Sequence, residues 1–333
     1  MANDKDFILK NAIEIGGSTK VTIGSAPASG SVTVGYDISA AAYDSVSFSQ
    51  ASQALNASTV RFGDNGTKMY IMQEGGSTFQ YTLSNAYDIS TASYASKSFG
   101  GYTSQDSSPY SMDFSSDGTK FYIVGISTDK IYQYTLSTAW DISSASYASK
   151  NSLVNDGGTY PVGMNFKPDG TKVYVANQAD HGIYQYDLTT AWDISTASYS
   201  SKNAQADALT GGGGIQNITL SPNGLKCFVS MYIGAPALAE LNLSTAWDIS
   251  SATYNNVSFS VASQISGNKN IAFNADGTKF VMLSGNPDST FQYSSGSTTV
   301  TNVFDVSTGN YFATTPSVSA QYDFSNAGDT QTW

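Results

Sequence analysis

The amino-acid sequence predicts an all-β fold, a five-bladed β-propeller whose N-terminal strand closes the last blade. Both termini are expected to add a small β module. Three observations predict this. The stretch Ser111 to Tyr147, SMDFSSDGTKFYIVGISTDKIYQYTLSTAWDISSASY, recurs in degraded form five times. The glycine of its first turn falls at Gly66, Gly118, Gly170, Gly224 and Gly277, and the aspartate of its later turn at Asp37, Asp88, Asp141, Asp193 and Asp248. That spacing, roughly 52 residues, lies in the range of solenoids and propellers. Each unit holds four β-like runs, and no segment has helical periodicity, which argues against a β-α solenoid.

The elements of a unit follow from residue type. Met112/Phe114, Met164/Phe166, Ile218/Leu220 and Ile271/Phe273 alternate with polar neighbours, the period of a strand. Asp-Gly then supplies a tight turn, because glycine accepts positive φ. Phe121–Val124, Val173–Val175 and Phe280–Met282 are β-branched or aromatic runs suited to a strand buried on both faces. Ile131–Tyr134 gives a third strand, and the segments at Tyr94, Tyr147, Tyr199 and Tyr254 a fourth. The blades are assigned to Ser58–Tyr94, Tyr110–Tyr147, Pro161–Tyr199, Gln216–Tyr254 and Asn270–Tyr293. The last has only three strands, while Tyr43–Ser49 precedes the first blade as a lone fourth strand. Ring closure by that strand removes open sheet edges. The domain division is therefore 1–34 as an N-terminal β segment, 35–296 as the propeller and 297–333 as a C-terminal β segment that pairs with the first. Trp333 ends in what reads as a strand just beginning, so a longer chain or a partner is expected to complete it.

Composition narrows the function. Charged residues make up 12% and the net charge is −11, with the basic residues spread by the repeat at Lys68, Lys120, Lys172, Lys226 and Lys279. Phosphate binding requires clustered Lys and Arg, so nucleic acid is not an expected partner. The single cysteine, Cys227, falls at a core-strand position and reads as a small buried hydrophobe. The N-terminus lacks the apolar run of a secretory signal, and no stretch is long enough to span a membrane as a helix.

Two resemblances extend the reading. The Trp-Asp pairs at Trp140, Trp192 and Trp247 are similar to those of WD40 repeats, but the period is too long and no Gly-His partner is present. Leu136–Tyr147, LSTAWDISSASY, resembles repeats in structural proteins of marine and cyanobacterial bacteriophages. Asp305–Phe312 followed by Val318–Ser325 is similar to a small β segment of phage tail-fibre and virion proteins, and Phe7–Ile13 with its Gly-Gly resembles the start of such proteins. The resemblance implies a non-enzymatic virion component: a tail fibre or appendage, or alternatively a capsid decoration protein. It would be made in the host cytoplasm, released by lysis, and anchored to other virion proteins as a homo-oligomer through its terminal segments.

Candidate contact residues lie on the loops that differ between blades, since a fixed scaffold with varied loops is a common way to build a binding surface. Tyr102, Tyr110, Tyr160 and Tyr232 offer flat apolar surface with a hydroxyl, suited to a host glycan or protein. Asp106, Asp156 and Asp207 occupy three successive inter-blade loops. If they converged, they would make a glycoside-hydrolysing or glycan-binding propeller the alternative, because that chemistry needs two carboxylates at a set separation. Structurally, aspartate caps turns. The lone His181 makes no metal cluster, and neither a cofactor nor a metal is expected.

Overall fold

The computed structural model describes residues 32–206, 214–231, 238–300, 303–305 and 323–325. Its first strand, β1 (Val32–Ser49), leads into blade one: β2 (Ala57–Gly63), β3 (Lys68–Gln73), β4 (Thr78–Leu83) and β5 (Ala92–Phe99). Blade two is β6 (Pro109–Phe114), β7 (Lys120–Gly125), β8 (Lys130–Leu136) and β9 (Ala145–Leu153). Blade three is β10 (Pro161–Phe166), β11 (Lys172–Asn177), β12 (Gly182–Leu188) and β13 (Ala197–Gln205). Blade four is β14 (Ile215–Leu220), β15 (Lys226–Met231), β16 (Leu238–Leu243) and β17 (Ala252–Phe259). Blade five is β18 (Asn268–Phe273), β19 (Lys279–Gly285) and β20 (Asp288–Val300), with β1 as its outermost strand in the order β1-β20-β19-β18. The ring is thus closed by the N-terminal strand of an all-β, five-bladed propeller.

That closing strand is longer than Tyr43–Ser49. It pairs antiparallel with β20 from Ser49 opposite Ser289 back to Val32 opposite Val300, with register shifts along the way. Two further strands, β21 (Val303–Asp305) and β22 (Asp323–Ser325), pair in parallel with each other. Of the expected N-terminal segment 1–34, residues 1–31 lie outside the described residues, as does most of the C-terminal segment 297–333.

The repeat has a packing reason. The residue before each turn aspartate is aromatic (Tyr36, Tyr87, Trp140, Trp192, Trp247) and holds φ between +61 and +65. A non-glycine side chain in that region is strained by about 1–3 kcal/mol. The strain is offset because each ring lies flat on the glycine of its own blade's first turn. A methyl group added at Gly118 would sit 2.2 Å from the Trp140 ring, and one at Gly277 2.1 Å from the Tyr36 ring. The same glycines hold φ of +68 and +71. Gly118→Ala should therefore both force the backbone and expel the indole. The expected loss is about 2–3 kcal/mol of unfolding free energy in urea titration.

Adjacent blades are latched from one position of the third strand, a glutamine in four blades and a glutamate in the other. Gln80, Gln133, Gln185 and Gln292 accept the backbone N–H of Ile142, Ile194, Ile249 and Ile89 in the next blade, at 3.0–3.2 Å. Blade four has Glu240 in this place, and it accepts from Ile38 of the closing strand. Lys226 pairs with Glu240 at 2.8 Å and also donates to the Tyr36 carbonyl at 2.8 Å. Where blades one to three bond the next aromatic's carbonyl with a tyrosine hydroxyl (Tyr70, Tyr122, Tyr174), the junction with the N-terminal strand uses this charged lysine. Buried Cys227 sits in the adjacent core cluster, its thiol pushed up to about 12 by burial.

The turn aspartates bond the backbone two residues on, as expected of an Asx turn: Asp88, Asp141, Asp193 and Asp248 accept from Ser90, Ser143, Ser195 and Ser250 at 3.0–3.2 Å. The Ser90 hydroxyl holds Asp88 below the usual carboxylate range, and for Asp248 the Lys202 ammonium does so first. Burial alone would raise Asp117, but hydrogen bonds from Ser115 and Thr119 outweigh it and hold the carboxyl at about 2. Depressed carboxylates contribute stability that is present in full above the unfolded-state pKa of about 4 and is lost as pH falls through the folded values. The melting temperature should thus fall steeply between about pH 4 and 2. A thermal series across that window checks it.

Candidate functional site

In each blade the first and last connections lie on one face, which carries the repeated turns. The middle connection and the link to the next blade lie on the other, which carries the varied loops. The direction of β1 relates the two. Its start bonds to blade five's Asp-Gly turn, with Gly35 and Tyr36 N–H donating to the Asp276 and Gly277 carbonyls at 3.3 and 2.8 Å. Its end reaches the loop face, where Gln50 donates to the Ser284 carbonyl at 3.2 Å. Val32 and Val300, from which the flanking segments continue, therefore lie at the turn-face end of blade five.

The loop face is less open than expected. Tyr102 is fully buried, because residues Gly101–Ser104 form a single 3-10 turn that tucks its ring against Phe99 and Phe121. Its hydroxyl meets Thr78 at 3.1 Å. Tyr110 is buried on the ring axis and donates to Gln216 at 2.9 Å, linking blade two to blade four across the channel. These two are structural rather than contact residues, a correction to the expectation. Asp106 is also buried; it accepts from Ser108 N–H at 2.7 Å, Thr128 N–H at 2.9 Å and the Thr128 hydroxyl at 2.6 Å. Its carboxylate thus caps its own turn at Ser108 and ties the inter-blade loop to the Ser127–Thr128 loop of blade two. Asp156 is exposed. Asp207 and Tyr232 lie outside the described residues, so convergence of three carboxylates is not seen among the described ones.

Tyr160 stands at the surface. It is 43% exposed and holds φ of +87, with its N–H bound to Asp129 at 3.0 Å and its carbonyl to Gln178 at 3.0 Å. Leu55 and Leu153, on or beside the same face, are 57% and 50% exposed. Beside them Tyr184 hydrogen-bonds Asp180, and burial together with that carboxylate pushes its hydroxyl up to about 12.

The axis holds what the sequence reading missed. Arg61 and Asp113 occupy equivalent positions of the inner strands β2 and β6, where blades three, four and five carry Asn165, Thr219 and Ala272. Arg61 Nε lies 3.6 Å from Asp113 Oδ1, with the arginine buried and the aspartate nearly so. Arg61 also donates to Asn270 Oδ1 at 3.0 Å and, across the axis, to the Met164 carbonyl at 2.8 Å. Asp113 accepts from Phe166 N–H at 2.9 Å and Asn165 at 3.3 Å. Burial pushes Arg61 down and Asp113 up, and their attraction opposes both. The available signal was a broken repeat: one positive and one negative residue at a position that is otherwise neutral. With Tyr110–Gln216 nearer the loop face, this network plugs the channel. Its turn-face mouth remains open as a cavity of about 240 Å³ lined by Tyr36, Arg61, Phe62, Tyr87, Asn165, Thr219 and Phe273, among others.

No known protein family and no curated protein matches this chain. Solved structures do resemble it. A functionally unknown protein from Desulfotomaculum acetoxidans aligns at 13% identity and TM-score 0.43, over 68% of this chain and 62% of that one. A provisionally assigned 6-phosphogluconolactonase from Bacteroides uniformis aligns at 16% identity and TM-score 0.42, over 68% and 62%. A Lactobacillus plantarum protein aligns at 17% identity and TM-score 0.44, over 73% and 70%. The chain thus spans 62% of the length of the first two. The likeness is one of fold alone, that of a β-propeller.

Proposed function

We propose that this chain is a non-enzymatic structural protein of a bacteriophage virion, a tail-fibre or appendage component. Its terminal segments anchor it to other virion proteins, as part of a homo-oligomer, and its varied-loop face contacts the host surface or a neighbouring subunit. The observation that carries this reading is the polarity of the ring. The flanking segments continue from the turn-face end of β1 and β20, which leaves the loop face at the opposite, distal end. On that distal face stand Leu55 and Tyr160, exposed apolar surface of the kind that marks an interaction site. The commitment of Asp106 to the Ser127–Thr128 loop of blade two weighs against the glycoside-hydrolase alternative. The resemblance of Leu136–Tyr147 and of the terminal segments to phage virion proteins supplies the biological setting.

Immunogold electron microscopy of particles from the source tests it, using an antibody against residues 152–160, where Leu153 and Tyr160 are exposed. Label at fibre or tail tips is the expected result. Label spread over the head would make the chain a capsid decoration protein, and particles free of label would overturn the virion assignment.

A further inference from the structure

We infer that the turn-face mouth of the channel is a binding site for a small neutral hydroxylated ring, such as a monosaccharide. The site is separate from the loop-face contact surface proposed above and does not rest on it. The argument begins with shape. The cavity of about 240 Å³ can hold one hexose-sized ring, and its walls are the aromatic side chains of Tyr36, Phe62, Tyr87 and Phe273. Flat apolar walls match the C–H face of a sugar ring, and tyrosine adds a hydroxyl at the edge.

Charge and hydrogen-bonding capacity then select the ligand. Among the described residues the only cation in the lining is Arg61, and Asp113 neutralises it from 3.6 Å. Asp276 acts electrostatically on both Tyr36 and Tyr87 at the rim, so an anion entering the mouth meets negative charge. The polar atoms that remain free are of both kinds. Tyr36 donates its hydroxyl hydrogen to the Ala275 carbonyl and Thr219 donates its own to the Ile271 carbonyl, which leaves each oxygen able to accept. The Tyr87 hydroxyl makes no hydrogen bond among the described residues and can both donate and accept. A carboxylate or phosphate asks for donors alone, whereas a sugar hydroxyl uses donors and acceptors together.

An independent feature marks the same sector. In blades two to five the first turn has positive φ only at its glycine, but in blade one Asp64, Asn65 and Gly66 hold φ of +49, +53 and +83 in succession. This left-handed turn borders a second cavity of about 230 Å³, lined by Asp64, Asn65, Ser116, Trp140, Phe62 and Tyr87. Phe62 and Tyr87, packed edge to face at 5.2 Å, thus form the wall between two adjoining pockets. The departure from the repeat falls where the two pockets meet, as functional strain tends to.

Saturation-transfer NMR and calorimetric titration of the full chain with glucose, galactose and N-acetylglucosamine test the site, with sodium sulfate as the anionic comparison. At least one sugar should bind saturably with a Kd of about 1 mM, the scale expected of a ligand this small. Tyr87→Ala should weaken it at least about tenfold and Tyr87→Phe by about threefold, while Tyr160→Ala on the opposite face should leave it unchanged. Thermal melting confirms that each variant is folded. The inference is overturned if no sugar saturates, if sulfate binds in their place, or if Tyr160→Ala and not Tyr87→Ala removes binding. Those outcomes bear on the turn-face site alone and leave the immunogold result to stand or fall separately.

Discussion

Removal of residues 1–50 should abolish cooperative folding. The deletion takes away all of β1, and with it the partner of β20 along its whole length from Ser289 to Val300. It also exposes core: Ile38 is fully buried, and the Tyr36 ring covers Gly277 and packs on Phe273 at 5.0 Å. Across the junction Glu240 loses the Ile38 N–H, and Lys226 loses the Tyr36 carbonyl. Each buried group left without its partner costs about 1–3 kcal/mol, and more when charged. Several such losses in one blade exceed the total stability of an ordinary domain, about 5–15 kcal/mol. The new edge, now β20, would recruit other chains. Far-UV circular dichroism on heating should show a broad, non-cooperative change, and size-exclusion chromatography should show aggregates. A soluble monomer with an unchanged melting transition would remove the N-terminal strand from the closure.

The second large effect is expected at the axis. Arg61→Ala should destabilise the protein by about 3–5 kcal/mol, because it leaves the Asp113 carboxylate buried without its counter-charge. The arginine also ties blade one to Asn270 of blade five and to the Met164 carbonyl of blade three, so its loss loosens the ring at three places. Replacing both partners, Arg61→Met with Asp113→Leu, should recover a large part of the loss, since a buried ion pair contributes little over apolar residues of similar size. Chemical denaturation of the two variants measures both quantities. An Arg61→Ala chain as stable as the parent would show that the pair is hydrated and the channel unplugged.

Much of the fold was legible because the same physical problem is solved five times. A glycine at positive φ, an aromatic ring resting on it and an aspartate capping the next turn must recur together, since each makes room for the others. The glutamine in Tyr-Gln-Tyr-Thr-Leu was visible as part of the pattern, but its role as a latch was not, because its partner Ile142 lies 62 positions from Gln80. The site was harder to read for the opposite reason. Tyr102 and Tyr110 stand in loops by sequence, flanked by Gly100, Gly101 and Pro109, yet both point inward; loop position alone does not decide the direction of a side chain. Asp106 looked like a spare carboxylate because its donors, Thr128 and Ser127, come from a different loop. Arg61 and Asp113 stand out in the sequence only as departures from the repeat, and at the axis that departure carries the information.

Hydrogen exchange of the intact chain, followed by mass spectrometry, tests the ring closure most directly because nothing is mutated. Peptides covering Tyr43–Ser49 should be protected as strongly as the outer strands of the other blades, β5, β9, β13 and β17, since the strand is hydrogen-bonded to β20 in the same way. Exchange of those peptides at the rate of an unfolded chain, with the other four outer strands protected, would contradict a propeller closed by its N-terminal strand.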